Sequence, residues 1–297
     1  MELVKDIPTM RQRARQARCQ GKRLALVPTM GALHRGHLTL VEEACRRADH
    51  VTVSIFVNPT QFGPNEDYER YPRTLEADIE ALQRIQGEVD VVFCPSVQEM
   101  YPPDYKTWVY VEDLDRYLCG AHRPGHFRGV TTVVTKLFHA CEPDVAVFGL
   151  KDAQQFVILR RMVEDLNFGI EMVGVPTVRE ADGLALSSRN LYLTAEQRQQ
   201  AVVLSRAIFL ARRLIEQGER DAERIKQQMQ HILATAPDAE VQYVEVVDGR
   251  HLEPVRTIQP GQEVLVALAV FFGGTRLIDS AFVRAPETTS VPDQTKP

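Results

Sequence analysis

The chain has 297 residues, of which 44% are hydrophobic and 25% are charged. This composition is typical of a globular protein with one large or two smaller domains, and it excludes collagen-like and low-complexity chains. The 40 acidic residues outnumber the 35 basic ones, which gives a formal charge of −5. Proteins that bind nucleic acid or anionic lipid usually carry an excess of positive charge, so we expect neither partner.

Residues 1–23 are charged throughout and lack the apolar segment of a secretory signal. No apolar run in the chain is long enough to span a bilayer. None of the five cysteines belongs to a C-x-x-C pair, and their wide spacing is atypical of a disulfide framework or a metal site. We therefore expect a cytoplasmic protein without a membrane partner and without metal ligands of its own.

Hydrophobic periodicity predicts alternating helices and strands over the first two thirds of the chain, beginning with an amphipathic stretch at 8–19. The predicted strands cover 24–28, 51–57, 89–93, 144–148 and 170–176, and the predicted helices cover 36–48, 73–86, 129–141 and 152–165. Short apolar strands that alternate with helices are typical of a parallel sheet covered on both faces. The expected fold class is α/β, with a Rossmann-like doubly wound parallel sheet.

The pattern changes after about residue 193. Two helices are predicted at 195–217 and 221–234, and they are followed by strands at 241–247, 263–272 and 276–283. Helices followed by consecutive strands indicate a second, smaller α+β domain. We expect a catalytic domain at 1–189, the α+β domain at 190–284, and a polar, disordered tail at 285–297.

Two histidines follow the first of these strands. His34 and His37 are three residues apart, so they share one face at the start of a helix. Helix N-termini attract anions, and open α/β sheets bind ligands at the carboxyl ends of their strands. The pattern favours a site for a polyanion such as a triphosphate. The alternatives are solvent-exposed histidines without a ligand, or a zinc site, although no third His or Cys ligand follows at a clear spacing.

The segment TMGALHRGH at 29–37 resembles the H-x-G-H motif of the nucleotidyltransferase superfamily. Five further segments resemble, in order along the chain, those of the pantoate–β-alanine ligase (pantothenate synthetase) family. They are FVNPTQF at 56–62, YPRT at 71–74, RPGHFRGV at 123–130, FGLKDAQQ at 148–155 and LALSSRN at 184–190. The resemblance extends from about residue 22 to residue 279, which is nearly the whole chain.

Members of this family form pantoyl adenylate from pantoate and ATP, with release of pyrophosphate, and β-alanine then displaces AMP. The resemblance therefore implies an ATP-dependent, AMP-forming ligase whose substrates are pantoate, β-alanine and ATP. It also implies Mg²⁺, because this ion accompanies ATP, and a homodimer.

The resemblance also assigns residues to each substrate. The residues expected to bind ATP are Met30, Gly31, Ala32, Leu33, His34, Arg35, Gly36, His37, Gly149, Leu150, Lys151, Asp152, Val178, Leu186, Ser187, Ser188 and Arg189. Among these, the expected catalytic residues, which stabilise phosphate charge, are His34, His37, Lys151 and Arg189. Gln61, Gln155 and Asn58 are expected to bind pantoate, and Gln61 also β-alanine. Leu150 stands where the family often has a polar residue, so only its backbone is expected to contact the nucleotide.

Two other functions stay open at this point. Another small-molecule nucleotidyltransferase would share the H-x-G-H and serine–arginine segments, but it would not need paired glutamines. A non-catalytic nucleotide-binding protein of the same fold would account for Leu150. The basic cluster Arg123, His126 and Arg128 fits either a phosphate site or a subunit surface. Asp78 and Gln83, on the helix predicted at 73–86, are not expected to bind metal.

Overall fold

A parallel sheet of six strands forms the centre of the first part of the chain in the computed structural model, which describes residues 1–64 and 66–287. The strands are β1 (Glu2–Val4), β2 (Leu24–Thr29), β3 (His50–Ile55), β4 (Val91–Phe93), β5 (Val145–Gly149) and β6 (Glu171–Val175). All six residues of β3 are buried. The polar residues His50, Thr52 and Ser54 of this strand are buried together with its apolar ones, because helices cover both faces of a parallel sheet.

Seven helices accompany this sheet in the described residues. They are α1 (Ile7–Cys19), α2 (Arg35–Arg47), α3 (Leu75–Gln83), α4 (Val97–Met100), α5 (Leu118–His122), α6 (His126–Cys141) and α7 (Ala153–Asp165). Helix α2 packs on β2 and β5 through Leu40, Val41 and Ala44, which are buried and recur at helical spacing.

The strand order is β1-β4-β3-β2-β5-β6. The direction of the strand order therefore reverses at β2 and β5, which are hydrogen-bonded neighbours. Open α/β sheets bind ligands at such a reversal, outside the carboxyl ends of the strands. The chain leaves β2 into residues 30–34 and leaves β5 into a 3-10 turn at Leu150–Asp152, so two of the expected ATP-binding segments follow these two strands.

The chain divides into two compact units. The first contains Met1–Leu150, Gln154–Val178 and Leu186–Ser188, and the second contains Lys151–Ala153, Arg179–Ala185 and the chain from Arg189. The second unit has helices α8 (Ala195–Gln200), α9 (Val203–Glu216) and α10 (Ala222–Leu233), and strands β7 (Ala239–Asp248), β8 (Glu263–Phe272) and β9 (Thr275–Arg284). Its strands form an antiparallel sheet in the order β7-β8-β9, and Ile208, Met229 and Leu268 belong to its core.

The expected fold class is confirmed, and the differences are local. The helix predicted at 129–141 begins at His126, because Gly125 adopts a left-handed φ of 79° and allows the chain to enter the helix there. The helix predicted at 195–217 is interrupted at 201–202 and forms α8 and α9. Strand β1, with three residues, is too short to show periodicity.

The end of the chain is described as far as Glu287. Ala285 is buried, and its amide donates to the carbonyl of Gln262. The remainder of the tail predicted at 285–297, namely residues 288–297, lies outside the described residues. Within the described part of the chain, no helix has the length and apolarity needed to cross a bilayer.

Candidate active site

The loop after β2 turns sharply before α2 begins. Gly31 and Ala32 have φ angles of 80° and 50°, which is the left-handed region that residues other than glycine rarely adopt. The Asp78 carboxylate of α3 accepts the Ala32 amide at 3.0 Å and the Leu33 amide at 2.7 Å. Asp78 is only 2% exposed, and sequence reasoning did not include it among the candidate site residues.

The two histidines form a reciprocal cap at the start of α2. The His34 Nδ1 accepts the Gly36 amide at 3.1 Å, and the His37 Nδ1 accepts the His34 amide at 3.3 Å. A ring nitrogen that accepts a hydrogen bond carries no proton, so these two contacts assign to each imidazole the neutral tautomer with its proton on Nε2. The ring centroids are 4.1 Å apart. Each ring thus carries an Nε2–H group, a kind of donor that suits phosphate oxygens.

Glycine is required between the two histidines. A Cβ atom at Gly36 would lie 2.8 Å from the His34 Cε1 and 2.9 Å from the His34 Nδ1, closer than real Cβ contacts. The same hypothetical atom would lie 3.8 Å from the Leu186 Cβ. The first unit therefore brings two expected ATP-binding segments together, at 30–37 and 186–188.

Asn58 is held by hydrogen bonds within the protein. Its Nδ2 donates to the Gly129 carbonyl at 3.2 Å, and its Oδ1 accepts from the hydroxyls of Thr60 at 2.9 Å and Tyr101 at 3.0 Å. Because a carbonyl oxygen only accepts, the contact with Gly129 fixes which end of the Asn58 amide is the donor. Asn58 is 1% exposed, so it is buried among these partners.

The orientation of Asn58 determines that of Gln61. The second N–H of the Asn58 amide donates to the Gln61 Oε1 at 3.0 Å, and the Gln61 Nε2 then lies 3.2 Å from the Met30 Sδ. Gln61 therefore turns its NH₂ group, not its oxygen, toward the first residue of the expected ATP segment. Since both of its amide hydrogens are engaged inside the protein, Asn58 orients Gln61 and has none left to donate to a substrate.

Arg123 and His126 hold the backbone of Gln61. The His126 Nδ1 lies 2.7 Å from the Gln61 carbonyl oxygen, and Arg123 donates to the same oxygen at 3.3 Å. Arg123 also makes two hydrogen bonds of 2.6 Å to Glu66. Burial tends to raise the pKa of Glu66, but the hydrogen bonds and charge of Arg123 outweigh it and hold that pKa below its ordinary value. Arg128 lies over the Trp108 ring instead.

The two glutamines at the start of α7 differ in their surroundings. Gln154 is buried, and its amide donates to the carbonyls of Leu114 and Tyr117 at 2.9 and 2.8 Å. Gln155, the expected substrate ligand, is half-buried. The structure therefore gives Gln154 a structural role and leaves Gln155 as the more accessible member of the pair.

The Leu150 side chain packs against Gly174 of β6. A Cβ atom at Gly174 of β6 would lie only 2.5 Å from the Leu150 Cδ2, so Leu150 occupies the space that the glycine leaves open. The structure thus explains how an apolar residue is accommodated there.

The expected ATP-binding segment at 186–188 is held by two hydrogen bonds. The Leu186 amide donates to the Val178 carbonyl at 3.0 Å, and the hydroxyls of Tyr71 and Ser188 lie 3.5 Å apart.

Charged groups of the second unit surround Lys151. Burial lowers the pKa of Lys151, and the nearby Arg189 lowers it further, whereas the carboxylates of Asp152 and Asp279 oppose this effect. Asp279 is 1% exposed and makes a bidentate ion pair with Arg179, at 2.7 and 2.9 Å. The repulsion between the positive charges of Lys151 and Arg189 is one that a nearby anion would reduce.

The described residues do not contain a group of three or more His, Cys, Asp or Glu side chains arranged to hold a metal ion. The first unit instead combines a histidine pair, a tight glycine turn and a serine segment at the carboxyl ends of parallel strands. These features are those of an α/β nucleotide-binding protein of the H-x-G-H class.

The family model described as Pantoate-beta-alanine ligase matches residues 2–282. The chain therefore belongs to the pantoate–β-alanine ligase family.

Individual relatives agree with this assignment. Pantothenate synthetase of Salinibacter ruber is 62% identical over 293 residues, which cover 96% of this chain and 99% of that protein. Pantothenate synthetase from Thermus thermophilus has a crystal structure with a TM-score of 0.87 and 45% identity, covering 95% of this chain and 99% of that one.

A crystal structure of pantoate-beta-alanine ligase from Francisella tularensis, complexed with beta-gamma ATP and beta-alanine, has a TM-score of 0.76 and 32% identity and covers 95% of this chain and 97% of that one. The predicted family and ligase activity are confirmed by these similarities. The assignment of individual site residues stays a prediction.

Proposed function

We propose that this chain condenses pantoate with β-alanine in two steps at the site that begins with the histidine pair. The observation that carries the proposal is the reciprocal cap of His34 and His37, which directs two neutral imidazoles from the carboxyl end of β2 in a chain of the pantoate–β-alanine ligase family. ATP is the co-substrate that such a pair of donors suits.

The reaction needs activation because a free carboxylate is a poor electrophile. In the first step an oxygen of the pantoate carboxylate attacks the α-phosphorus of ATP, the new O–P bond forms, and the bond to pyrophosphate breaks. In the second step the β-alanine amine attacks the acyl carbon, the bond to AMP breaks, and the amine loses a proton. The protein contributes by aligning the reactants and stabilising phosphate charge.

Phosphate charge is stabilised by hydrogen-bond donors and by fixed positive charges. The Nε2–H groups of His34 and His37 donate to phosphate oxygens, and Lys151 and Arg189 supply positive charge. The hydroxyls of Ser187 and Ser188 add donors that can follow the charge as it shifts. The remaining expected ATP residues, at 30–33, 35–36, 149–150, 152, 178 and 186, contribute mainly through their backbone.

Pantoate is bound by Gln61 and Gln155. The Gln61 Nε2 donates to an oxygen of the substrate, since its own oxygen is engaged by Asn58. An N–H donor recognises a carboxylate or hydroxyl oxygen, which pantoate offers. Asn58 supports this contact without touching the substrate.

Mg²⁺ enters with ATP in this proposal. Phosphate oxygens and waters are its preferred ligands in such complexes, and Asp152 is an exposed carboxylate of the expected ATP segment that could complete its coordination. The ion neutralises phosphate charge when it is bound.

We further propose a cytoplasmic homodimer. All five cysteines are free, which suits a reducing compartment. The aromatic side chains Trp108 and Tyr110 are 40% and 52% exposed, a degree of exposure that association with a second copy would reduce. Sedimentation at micromolar concentration tests the dimer, and a species of one chain mass would contradict it.

Product analysis tests the proposed reaction. Incubation of the protein with Mg²⁺, ATP, pantoate and β-alanine should yield equal amounts of pantothenate, AMP and pyrophosphate, and omission of any one substrate should abolish pantothenate. Formation of a nucleotidyl product without an amide would indicate the other nucleotidyltransferase reaction.

A further inference from the structure

Asp78 is a buried carboxylate outside the set of residues expected to bind substrate. It lies on α3 with 2% of its surface exposed. Its oxygens accept the Ala32 and Leu33 amides, and the Thr74 hydroxyl donates to it at 3.2 Å. Burial of a carboxylate is unfavourable unless hydrogen bonds compensate it. The compensating groups here are the backbone amides of the loop between β2 and α2.

This loop has a backbone conformation that needs support. Ala32 has a φ of 50°, in the left-handed region that a Cβ atom disfavours. The preceding Gly31 has a φ of 80°, and a Cβ atom there would lie 3.0 Å from the Asp78 Oδ2 and 3.1 Å from the Ile55 Cγ2. The carboxylate is therefore packed directly against the turn while it binds the two amides that follow.

The position of the loop sets the position of the histidines. Leu33, held by Asp78, directly precedes His34, which is the N-cap residue of α2. The His34 amide donates to the His37 ring, and the His34 ring accepts the Gly36 amide. A displacement of residues 32 and 33 would therefore move both imidazoles together.

We propose that Asp78 is a positioning residue for nucleotide binding, which fixes the backbone of residues 31–33 and thereby the direction of the His34 and His37 rings. The inference rests on the proposed role of residues 30–37 in ATP binding. Asp78 acts through the loop and has no contact with substrate in this mechanism.

The variant Asp78→Asn tests the proposal because it keeps the shape of the side chain. An amide offers one oxygen, and its NH₂ group would face one of the two loop amides, so one charged hydrogen bond is lost and a donor meets a donor. In pantoate-dependent ATP–pyrophosphate exchange, we expect the KM for ATP to rise about 10- to 100-fold, while the KM for pantoate stays within roughly twofold.

Asp90→Asn is the matched control. The Asp90 carboxylate accepts the Val51 amide at 2.8 Å and contacts His50, at the amino end of β3, so the same chemical change is made at the opposite edge of the sheet. We expect both KM values of this variant to stay within roughly twofold of the parent, since the change is remote from the loop. An equal rise in the KM for ATP in the control would overturn the proposal.

A rescue experiment separates positioning from general stability. Ala32→Gly in the Asp78→Asn background should recover at least about threefold of the ATP affinity, since glycine adopts a left-handed φ without steric cost. If Asp78 had a purely structural role, the Asp78→Asn variant would have a smaller active fraction and a lower melting temperature, but its KM values for ATP and pantoate would equal those of the parent. A folded Asp78→Asn protein with the parental KM for ATP would contradict the inference.

If Asp78→Asn does not fold, Thr74→Val takes its place. This variant removes only the hydroxyl that donates to Asp78, and it should raise the KM for ATP by about two- to fivefold. An unchanged KM for ATP would overturn the inference.

Failure of the role of Asp78 can be distinguished from failure of the proposed function. Absence of ATP–pyrophosphate exchange in the parent protein contradicts the function itself. Exchange in the parent with unaltered ATP binding in the variants contradicts only the role of Asp78.

Discussion

Gln61→Glu replaces the NH₂ group that we propose to face pantoate by an oxygen, and it preserves the shape of the side chain. One carboxylate oxygen would still accept from the Asn58 Nδ2, which lies 3.0 Å from the Gln61 Oε1. The other oxygen would occupy the position of the Nε2, because Asn58 is fixed by the Gly129 carbonyl and cannot rotate its amide without losing that bond. The substrate would then meet a negative charge where it had met a donor.

The magnitude follows from two terms. Loss of a hydrogen bond to a charged acceptor costs about 1.5–3 kcal/mol, which corresponds to roughly a 10- to 100-fold rise in the KM for pantoate. The truncated variant Gln61→Ala should show this loss alone. Two carboxylates about 4 Å apart repel by roughly 4 kcal/mol at an effective dielectric constant of about 20. Even after partial screening, Gln61→Glu should bind pantoate at least about tenfold more weakly than Gln61→Ala.

The assay is ATP–pyrophosphate exchange with pantoate and ATP varied separately. The KM for ATP is the internal control, and it should stay within roughly twofold in both variants, because the proposal assigns ATP binding to other groups. A Gln61→Glu protein that binds pantoate as well as Gln61→Ala, or better, would refute the deduced orientation of the Gln61 amide.

Three further predictions concern the groups around this site. Gly36→Ala should reduce the exchange rate at least about tenfold, because the new Cβ displaces the His34 ring and breaks its hydrogen bond to the residue 36 amide. The free energy of unfolding should fall by only about 1 kcal/mol, the usual cost of losing one helix cap. An exchange rate within twofold of the parent would contradict the reciprocal cap. Tyr101→Phe should raise the KM for pantoate about threefold to tenfold through loss of one neutral hydrogen bond to Asn58. Since burial raises the pKa of Tyr101 to about 12, the parent and this variant should have the same pH profile below about pH 10; a divergence near neutral pH would count against a protonated donor. Glu66→Gln should lower the melting temperature at neutral pH, because it removes the ion pair with Arg123. Since the folded pKa of Glu66 lies below its ordinary value of about 4.3, this stabilisation is complete above about pH 4.3 and is lost as the pH falls through the folded pKa. A difference in melting temperature between parent and variant that grows with acidification would contradict the ion pair.

The strands and helices around β2, β3 and β5 were predictable because their apolar residues are numerous and regularly spaced. The H-x-G-H segment was predictable for a related reason, since its spacing places both rings on one turn. The break at 201–202 was not, because neither glycine nor proline occurs there and the periodicity continues through it. Hydrophobic patterns report which residues are buried, and a local change of helix direction alters burial little.

Contacts between distant segments were beyond sequence reasoning. Arg123 and His126 were recognised as a basic cluster, but the partner Glu66 is 57 residues from Arg123, and only the fold shows that they hold the Gln61 backbone. Asp78 is 46 residues from Ala32. Its signal was present in the sequence, because Asp78 shares the buried face of α3 with Leu82, and an acidic residue on a buried helix face implies nearby donors.

The protonation states of the histidines likewise depend on the fold. Spacing alone indicates that His34 and His37 are neighbours, and it is equally compatible with two imidazolium ions. The backbone amides that donate to each Nδ1 decide in favour of neutral rings with the proton on Nε2. In the proposed mechanism these rings therefore act on phosphate as hydrogen-bond donors.

Formation of an acyl adenylate is the central claim, and pantoate-dependent exchange of labelled pyrophosphate into ATP in the absence of β-alanine measures it most directly. The mechanism predicts rapid exchange that requires pantoate and Mg²⁺ and disappears in His37→Ala. Folded protein that makes pantothenate without such exchange, or that exchanges pyrophosphate equally well without pantoate, would contradict the adenylate mechanism.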